Sequence, residues 1–440
     1  MKVLLTNNTL SVRAGSELTV RDVSLGLLKR GHTVFAYSQQ LGSVAEEISD
    51  AGVVVVDNLS QLHDKPDVIH AHHHIETMAA LLHFPDTPAV FFCHGVKPWE
   101  ELAPLFPRIV SYVAVDQPCR ERLRDECAVP ENRIEVLYNT VDLNRFVARD
   151  NLPTKPRRAL IFSNYAVMGP AFHQIREACQ ELGIELDVMG ASSGNSCSHP
   201  EQRLGEYDIV FAKARAAMEA MATGAAVVIS DYQQIGPLVT TENFDKLRPL
   251  NFGFRCLESE ISRDAVLERL RQYDASNAGM VHRRIREVAN FEHALDRILD
   301  LYQRAIDTPL NHAMSDEYRA SSQYITMLGE LTKQFKRDAN SEKLRAERLL
   351  ADTLGLTQRL DSLKQRAMRL ARNNRQRASL LRLRRQDHKL LMKSIRKRDD
   401  EIATLTRKLE NLESLMNSRS DNSATTIRSF LGRFRKSGPK

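Results

Sequence analysis

Charged residues with a distinctive spacing occur near the middle of the chain. Lys213 and Arg215 precede a predicted short helix that carries Glu219 and stops at Gly224. Two cations beside the free N–H groups of a helix N-terminus can bind a diphosphate. Glu219 lies about one turn further along, where a carboxylate could bind both hydroxyls of a ribose. We therefore predict a diphosphate- and ribose-binding segment, with solvated surface charges as the alternative interpretation.

Two glycine positions are further candidates for binding the same ligand. Gly15 and Ser16 lie between a predicted strand and a predicted helix over 16–30. Ser16 is predicted as the helix N-cap, and Gly15 would let the backbone approach a phosphate. An ordinary capped helix would show the same pattern. Gly190 ends a predicted strand further along the chain and is assigned to the same ligand.

Histidines follow two predicted buried strands. Four of them lie within five residues, at positions 70 and 72–74. Strand side chains alternate between faces and no carboxylate cluster accompanies them, so no metal site is predicted. We expect His72 and His73 to line a cleft. His94 is predicted to point into the same crevice and to donate to a sugar hydroxyl or a phosphate; a core histidine is the alternative.

The elements that must position these residues alternate between strands and helices. Predicted strands occur at 3–5, 33–37, 53–56, 68–70, 89–93, 111–115 and 134–137, and again at 159–162, 185–189, 209–212 and 226–230. A polar stretch with two prolines, 151–158, separates the two series. Such alternation predicts parallel sheets with ligands at the carboxyl ends of the strands. The predicted fold is α/β, with Rossmann-like lobes at 1–150 and 151–310 facing a cleft.

The last third of the chain differs in charge and pattern. Residues 311–440 contain 30 Lys and Arg against 15 Asp and Glu, whereas the rest contains 32 against 41. Leucines recur at heptad spacing at positions 349, 356, 363 and 370, and the register returns from 391 to 416. We predict a long basic coiled coil over 311–420 that joins copies of the chain into a homo-oligomer. A single solvated helix is the alternative.

Residues 421–440 form a basic tail. Ile427, Phe430, Leu431 and Phe434 have the spacing of one helix face, which predicts an interfacial helix on anionic lipid; a disordered basic tail is the alternative. No apolar run approaches the ~20 residues of a membrane span, so membrane contact would be peripheral. The basic segment lacks interleaved aromatic residues, so nucleic acid is not the expected partner.

Six scattered cysteines without C-x-x-C spacing predict reduced thiols in a cytosolic protein. The expected location is cytoplasmic, with the basic tail placing the chain at the inner face of the membrane.

Two motifs resemble the family 4 glycosyltransferases of the GT-B fold. Residues 219–228, EAMATGAAVV, are similar to the E-A-M-A-x-G-x-P-V-V signature of that family. Residues 139–146, NTVDLNRF, resemble its N-G-V-D-x-x-x-F turn at the end of the first lobe. Gly15 and Ser16 stand where the family has a Gly-rich loop, and His94 where it has a cleft histidine. The similarity covers roughly residues 1–305.

The resemblance implies a hexosyltransferase-like enzyme without a cofactor. A nucleotide-diphosphate-sugar donor would bind the second lobe, a glycan or lipid-linked acceptor would bind the first, and transfer would proceed with retention and without a metal. Glu219 would bind the donor ribose. Lys213, Arg215, His94 and backbone N–H groups would stabilise an oxocarbenium-like state and the leaving diphosphate.

The sequence also departs from the family pattern. Phe211 stands where the first glutamate of the usual E-x7-E pair is expected, and residues 161–170 lack the usual Arg and Lys. Two alternatives therefore remain: a non-catalytic GT-B-like scaffold that organises partners through the coiled coil, or a nucleotide-sugar epimerase.

Overall fold

The computed structural model describes residues 1–373 and 378–417. The chain divides into two compact units, Met1–Ala320 and Ser321–Lys440. The first unit contains two α/β lobes, as the alternating strand and helix pattern predicts.

The first lobe is built on a seven-stranded parallel sheet. Its strands are β1 (Lys2–Thr6), β2 (Thr33–Tyr37), β3 (Val54–Val56), β4 (Val68–Ala71), β5 (Ala89–Cys93), β6 (Ile109–Ala114) and β7 (Ile134–Val136), and its helices are α1 (Gly15–Lys29), α2 (Ser43–Asp50), α3 (His74–His83) and α4 (Gln117–Asp125). The strand order is β3-β2-β1-β4-β5-β6-β7. The order reverses between β1 and β4, and such a reversal opens a crevice at the carboxyl ends of the strands.

The second lobe has a six-stranded sheet with an antiparallel edge. Its strands are β8 (Arg158–Phe162), β9 (Glu185–Met189), β10 (Ile209–Ala212), β11 (Ala226–Ser230), β12 (Gln234–Leu238) and β13 (Ser259–Glu260), in the order β13-β12-β11-β10-β8-β9. Its helices are α5 (Pro170–Glu181), α6 (Ala214–Thr223), α7 (Phe244–Leu247), α8 (Arg263–Arg271) and α9 (Ala275–Val288). β12 and β13 pair antiparallel and were not predicted, because neither forms a continuous apolar run.

A last helix returns from the second lobe to the first. α10 (Phe291–Asp307) falls in the sequence range predicted for the second lobe. However, Leu295, Ile298 and Tyr302 of this helix belong to the hydrophobic core of the first lobe, with Val3 of β1. The two lobes are thus connected twice, once through the segment after β7 and once through α10.

The start of α1 differs from the prediction. The helix begins at Gly15, and its N-cap residue is Ala14, which makes no side-chain capping bond. Ser16 is therefore not the N-cap; its hydroxyl donates to Glu17 Oε2 over 3.0 Å. The prediction was wrong because it places Gly15 in the preceding turn, whereas Gly15 is the first residue of the helix.

The second unit is helical. α11 (Met314–Asn373) begins in the first unit and extends into the second, and α12 (Ala378–Asn417) follows. The two helices pack against each other: Ala346 and Leu349 form a core cluster with Leu405 and Leu409. Residues earlier in α11 meet residues later in α12, so the pair is antiparallel, whereas the sequence predicted one continuous coil.

Part of the predicted helical region lies outside the described residues. Residues 374–377 and 418–420 of the predicted coiled coil and the whole basic tail, 421–440, belong to this part. None of the described helices combines the length and the apolar composition that a membrane span requires.

Candidate active site between two lobes

A cavity of about 260 Å³ opens at the carboxyl edge of the first sheet. Its walls include the first turns of α1, the segments after β5 and β7, and the beginning of α6. Small-molecule sites usually have about 300–1,000 Å³, so this cavity lies just below that range. Of the described residues that line it, only Ala214 and Arg215 come from the second lobe.

Two helix N-termini contribute to the cavity wall. Gly15 and Ser16 of α1 line it from the first lobe, and Ala214 and Arg215 of α6 line it from the second. Ala214 has a φ of +52°, in the left-handed region that alanine rarely adopts. This turn directs the chain from β10 into α6. A strained residue at this point is consistent with a functional constraint on where α6 begins.

Arg215 connects the two lobes through carboxylates. Its guanidinium pairs with Asp22 on α1 and donates to Glu219 Oε1 over 2.7 Å within α6. Burial would raise the pKa of Asp22, but the charges of Arg215 and Arg21 outweigh it and hold that pKa below its usual value. The pKa of Glu219 is raised, because burial outweighs the single guanidinium that it shares with Asp22.

The other predicted donor-binding residues do not line the cavity. Lys213, the N-cap residue of α6, has its ammonium 3.4 Å from Asp231 Oδ2. Glu219 is buried and touches the cavity only through Arg215. Gly190 follows β9 with a φ of +159°, and a Cβ on it would lie 1.9 Å from the carbonyl oxygen of Ser163. Only glycine therefore fits this turn.

The predicted histidines form a connected row. His94 lines the cavity, and its Nε2 lies 3.2 Å from Nε2 of His72. That nitrogen lies 2.7 Å from Nε2 of His70, whose Nδ1 contacts the hydroxyl of Tyr302. Burial lowers the pKa of His94 to about 4, with a further contribution from the charge of Arg215. His94 is therefore neutral at pH 7 and offers a hydrogen bond rather than a charge.

Glu101 is a site residue that the sequence reading missed. It lines the cavity, is 4% exposed and accepts the backbone N–H of His94 over 2.9 Å. Burial raises its pKa to about 8, so the carboxyl is mostly protonated at pH 7. The polar sequence after β5 could have indicated Glu101, because residues that follow a parallel strand at its carboxyl end are expected to reach the ligand.

His73 lies behind Glu101. Its Nδ1 accepts the backbone N–H of Asn8 over 3.1 Å, and its Nε2 is 3.6 Å from Glu101 Oε1. Burial lowers the pKa of His73 to about 3. His72 and His73 are thus buried behind the wall and do not line the cavity.

The NTVD motif also reaches the cavity, where Asn139 and Thr140 line it together with Leu137 and Tyr138. The position of the missing first glutamate, Phe211, is fully buried in β10. Across residues 1–373 and 378–417, no group of three or more His, Cys, Asp or Glu side chains is arranged to hold a metal ion.

Comparisons with known proteins agree with this architecture. Residues 13–145 match the model of Glycosyltransferase Family 4. The crystal structure of a glycosyltransferase from Rickettsia africae is similar with a TM-score of 0.50 at 12% identity, covering 70% of this chain and 99% of that chain. MurG of Acinetobacter baumannii is similar with a TM-score of 0.41 at 13% identity, covering 69% and 99%. No curated protein sequence matches the chain.

The structural likeness concerns the fold, and the family match covers the first lobe, where Gly15, Ser16 and His94 lie. Together with the two-lobed architecture, these findings show a GT-B-like fold whose first lobe resembles Glycosyltransferase Family 4.

Proposed function

We propose that the chain transfers a sugar from a nucleotide-diphosphate donor to a glycan or lipid-linked acceptor. The observation that carries this proposal is Arg215, a largely buried cation at the start of α6 that faces Gly15 and Ser16 at the start of α1 across one cavity. Two helix N-termini and a guanidinium form a suitable environment for a diphosphate. A hexosyl donor follows from the family resemblance.

In this proposal the donor replaces an ion pair. The diphosphate takes the place of Asp22 at the guanidinium of Arg215, which is held in the free protein by Asp22 and Glu219. Glu219 then binds the hydroxyls of the donor ribose. Lys213, 3.4 Å from Asp231 in the free protein, supplies a second cation beside the same helix N-terminus.

The polar groups of the cavity support charge stabilisation rather than attack by a carboxylate. Among the described lining residues, Asp22 pairs with three arginines and Glu101 is mostly protonated at pH 7. We therefore propose transfer with retention and without a covalent intermediate. The bond from the anomeric carbon to the diphosphate breaks while the acceptor oxygen bonds to that carbon, and the acceptor proton leaves with the diphosphate. Arg215 and backbone N–H groups stabilise the departing charge.

The first experiment measures release of nucleoside diphosphate from UDP-, GDP- and dTDP-sugars, with and without a chelator. We expect release from at least one donor class, unchanged by the chelator, and a loss of about 100-fold in Glu219→Gln. Glu121→Gln is the matched control, because Glu121 is an exposed glutamate of the first lobe. Absence of turnover with every donor would contradict the enzyme assignment, and loss of turnover with chelator would contradict metal independence.

A second candidate function is a non-catalytic scaffold that binds nucleotide sugars. It is favoured by Phe211, which is fully buried where the first family glutamate would stand. Arg215 is also saturated by two carboxylates in the free protein. Thermal stabilisation by a nucleotide sugar without any turnover would support this candidate.

Self-association through the helical unit remains a proposal. The buried positions Leu349, Leu405 and Leu409 are used between α11 and α12 of one chain. Contacts between chains would have to use exposed apolar residues such as Ile325, Leu344 and Leu390. Light scattering during size-exclusion chromatography tests this, since a monomer at micromolar concentration would contradict it.

Binding to an anionic membrane surface is proposed for the basic tail, 421–440. Co-sedimentation with vesicles containing phosphatidylserine should be lost when residues 421–440 are deleted, and it should weaken at high salt. Equal sedimentation of the full and shortened chains would contradict the proposal.

A further inference from the structure

A row of hydrogen-bonded rings leads from the cavity into the first lobe. It runs from His94 through His72 and His70 to the phenol of Tyr302 on α10. His70, His72 and Tyr302 are fully buried, and the ring of Phe92 stacks on His70 with centroids 3.9 Å apart. Imidazoles in such surroundings are neutral, because burial disfavours the charged form. Each ring therefore carries a single N–H, and the row must have a direction.

Tyr302 sets that direction. Its hydroxyl has no other hydrogen-bond partner among the described residues, so it satisfies its proton only by donating to His70 Nδ1. His70 then carries its proton on Nε2 and donates to His72 Nε2. The single lone pair of His72 Nε2 accepts this bond. A second lone pair on Nε2 of His94, 3.2 Å away, would repel it, so a proton on that nitrogen of His94 is favoured.

The opposite direction leaves more buried atoms unpaired. His72 Nδ1 makes no hydrogen bond to described residues, so it is unpaired in either direction. In the reverse direction the phenol proton of Tyr302 would also have no acceptor. Each unpaired buried group costs its desolvation, so the direction with one unpaired group is favoured over the direction with two.

We propose that Tyr302, through His70 and His72, holds His94 in the tautomer with its proton on Nε2. Nδ1 of His94 then presents a lone pair to the cavity, where it accepts a hydrogen bond from the reacting hydroxyl of the sugar acceptor. Tyr302, His70 and His72 are positioning residues, and His94 is the group that touches the substrate. The role toward the acceptor rests on the proposed function, whereas the tautomer does not.

This inference changes the role predicted for His94 from the sequence. A neutral ring whose free nitrogen is an acceptor cannot donate to the leaving diphosphate. It can instead orient an acceptor hydroxyl by accepting its hydrogen bond until the proton passes to the departing diphosphate. The two sides of the reaction are then divided, with Arg215 on the donor side and His94 on the acceptor side.

The test is the nitrogen-15 NMR spectrum of the histidine rings in the full chain at pH 7.5, with His94 assigned by its loss in His94→Asn. We expect a pyridine-type shift for Nδ1 of His94 and a pyrrole-type shift for Nε2. A pyrrole-type Nδ1 in the unsubstituted chain would overturn the inference without any need for a variant.

Two matched variants test the dependence on Tyr302. Tyr302→Phe removes the hydroxyl that donates to His70. The nitrogen-15 shifts of the His94 ring should therefore move toward the average of its two tautomers. Tyr112→Phe is the control, because Tyr112 is a fully buried tyrosine of the same lobe whose hydroxyl donates to the carbonyl of Pro104 over 2.8 Å. Equal His94 spectra in the two variants would overturn the inference.

A kinetic measurement tests the role of His94 toward the acceptor. Once a donor and acceptor pair is known, Tyr302→Phe should lower kcat about tenfold with an unchanged KM for the donor, and Tyr112→Phe should alter neither. The tenfold figure corresponds to about 1.4 kcal/mol. If no sugar transfer is found while the NMR result holds, the proposed function fails and the tautomer assignment survives. An equal kcat in both variants would overturn the role of His94 toward the acceptor.

Discussion

The two lobes contribute to the cavity in different ways. The first lobe supplies most of the wall and carries buried, neutral polar groups, with Glu101 and His94 at the surface of the cavity. The second lobe supplies only Ala214 and Arg215 among the described lining residues, and the guanidinium it offers is paired with carboxylates. The difference indicates that the first lobe presents a preformed surface, whereas the second must exchange one partner for another when an anionic ligand binds.

The largest expected effect on stability comes from removing the guanidinium that the second lobe places in the cavity. Arg215→Ala leaves Asp22 and Glu219 buried without their shared cation, so the free energy of unfolding should fall by about 3–5 kcal/mol. Urea denaturation measures this loss of unfolding free energy.

Arg255→Ala is the matched control for this change. Arg255 also pairs across the lobes, with Glu121, but both side chains are more than 40% exposed. It should cost no more than about 1 kcal/mol. Similar losses of unfolding free energy in the two variants would contradict the expected difference between the buried and the exposed ion pair.

The second prediction concerns the backbone of the second lobe. Gly190→Ala places a Cβ against the carbonyl of Ser163 and should destabilise the chain by about 3 kcal/mol in thermal or urea unfolding. Gly194→Ala is its control, because Gly194 is also left-handed, with a φ of +73°, but has open space around it. It should cost only about 1–2 kcal/mol, and a larger loss there than at Gly190 would contradict the close approach.

The third prediction tests the neutrality of the first-lobe wall. Because the folded pKa of Glu101 is raised to about 8, the folded chain binds more protons than the unfolded chain above pH 4.5. The unfolding free energy should therefore fall as pH rises, by about 2 kcal/mol between pH 6.5 and 8 from this group. Glu101→Gln should remove this contribution.

The buried histidines contribute a slope of the opposite sign over part of this range. Their folded pKa values are lowered, His94 to about 4 and His73 to about 3, so the stability they contribute grows as pH rises through the unfolded value of about 6.5. The difference between the unsubstituted chain and Glu101→Gln cancels this contribution and isolates that of Glu101. Urea denaturation at several pH values measures the unfolding free energy of both chains. Parallel curves for Glu101→Gln and the unsubstituted chain between pH 6.5 and 8 would show that Glu101 is ionised in the folded protein.

The smallest expected effect concerns the strained turn before α6. Ala214→Gly should stabilise the chain by about 1 kcal/mol, because glycine adopts a positive φ without the cost that alanine pays. Ala216→Gly, inside the same helix, should destabilise it by about 0.5–1 kcal/mol. A loss of stability in both variants would indicate that Ala214 does not hold the left-handed conformation.

The sequence predicted the lobes well because their central strands are buried on both faces. Continuous apolar runs such as Ala89–Cys93 and Ala226–Ser230 become strands with the predicted bounds. The strand β12, next to the edge strand β13, was missed because Gly236 and Pro237 interrupt its run. Helical periodicity in the last third was clear, but leucine spacing alone does not distinguish a partner in another chain from α12 folding back on α11.

The site was predicted less completely than the fold. His94, Gly15, Ser16 and Arg215 come together in one cavity, since all follow strands or begin helices at the same edge. Asp22 and Glu101 were missed, because their role depends on residues distant in sequence, such as Arg215 for Asp22. The link from Tyr302 to His70 spans 232 positions, and no local pattern could reveal it.

The most direct test of the account is a crystal structure of the chain with a bound nucleoside diphosphate. We predict that the diphosphate lies between the N-termini of α1 and α6, contacts the Arg215 guanidinium, and has replaced Asp22 as its partner. A diphosphate bound elsewhere with the Asp22–Arg215 pair intact would contradict the account.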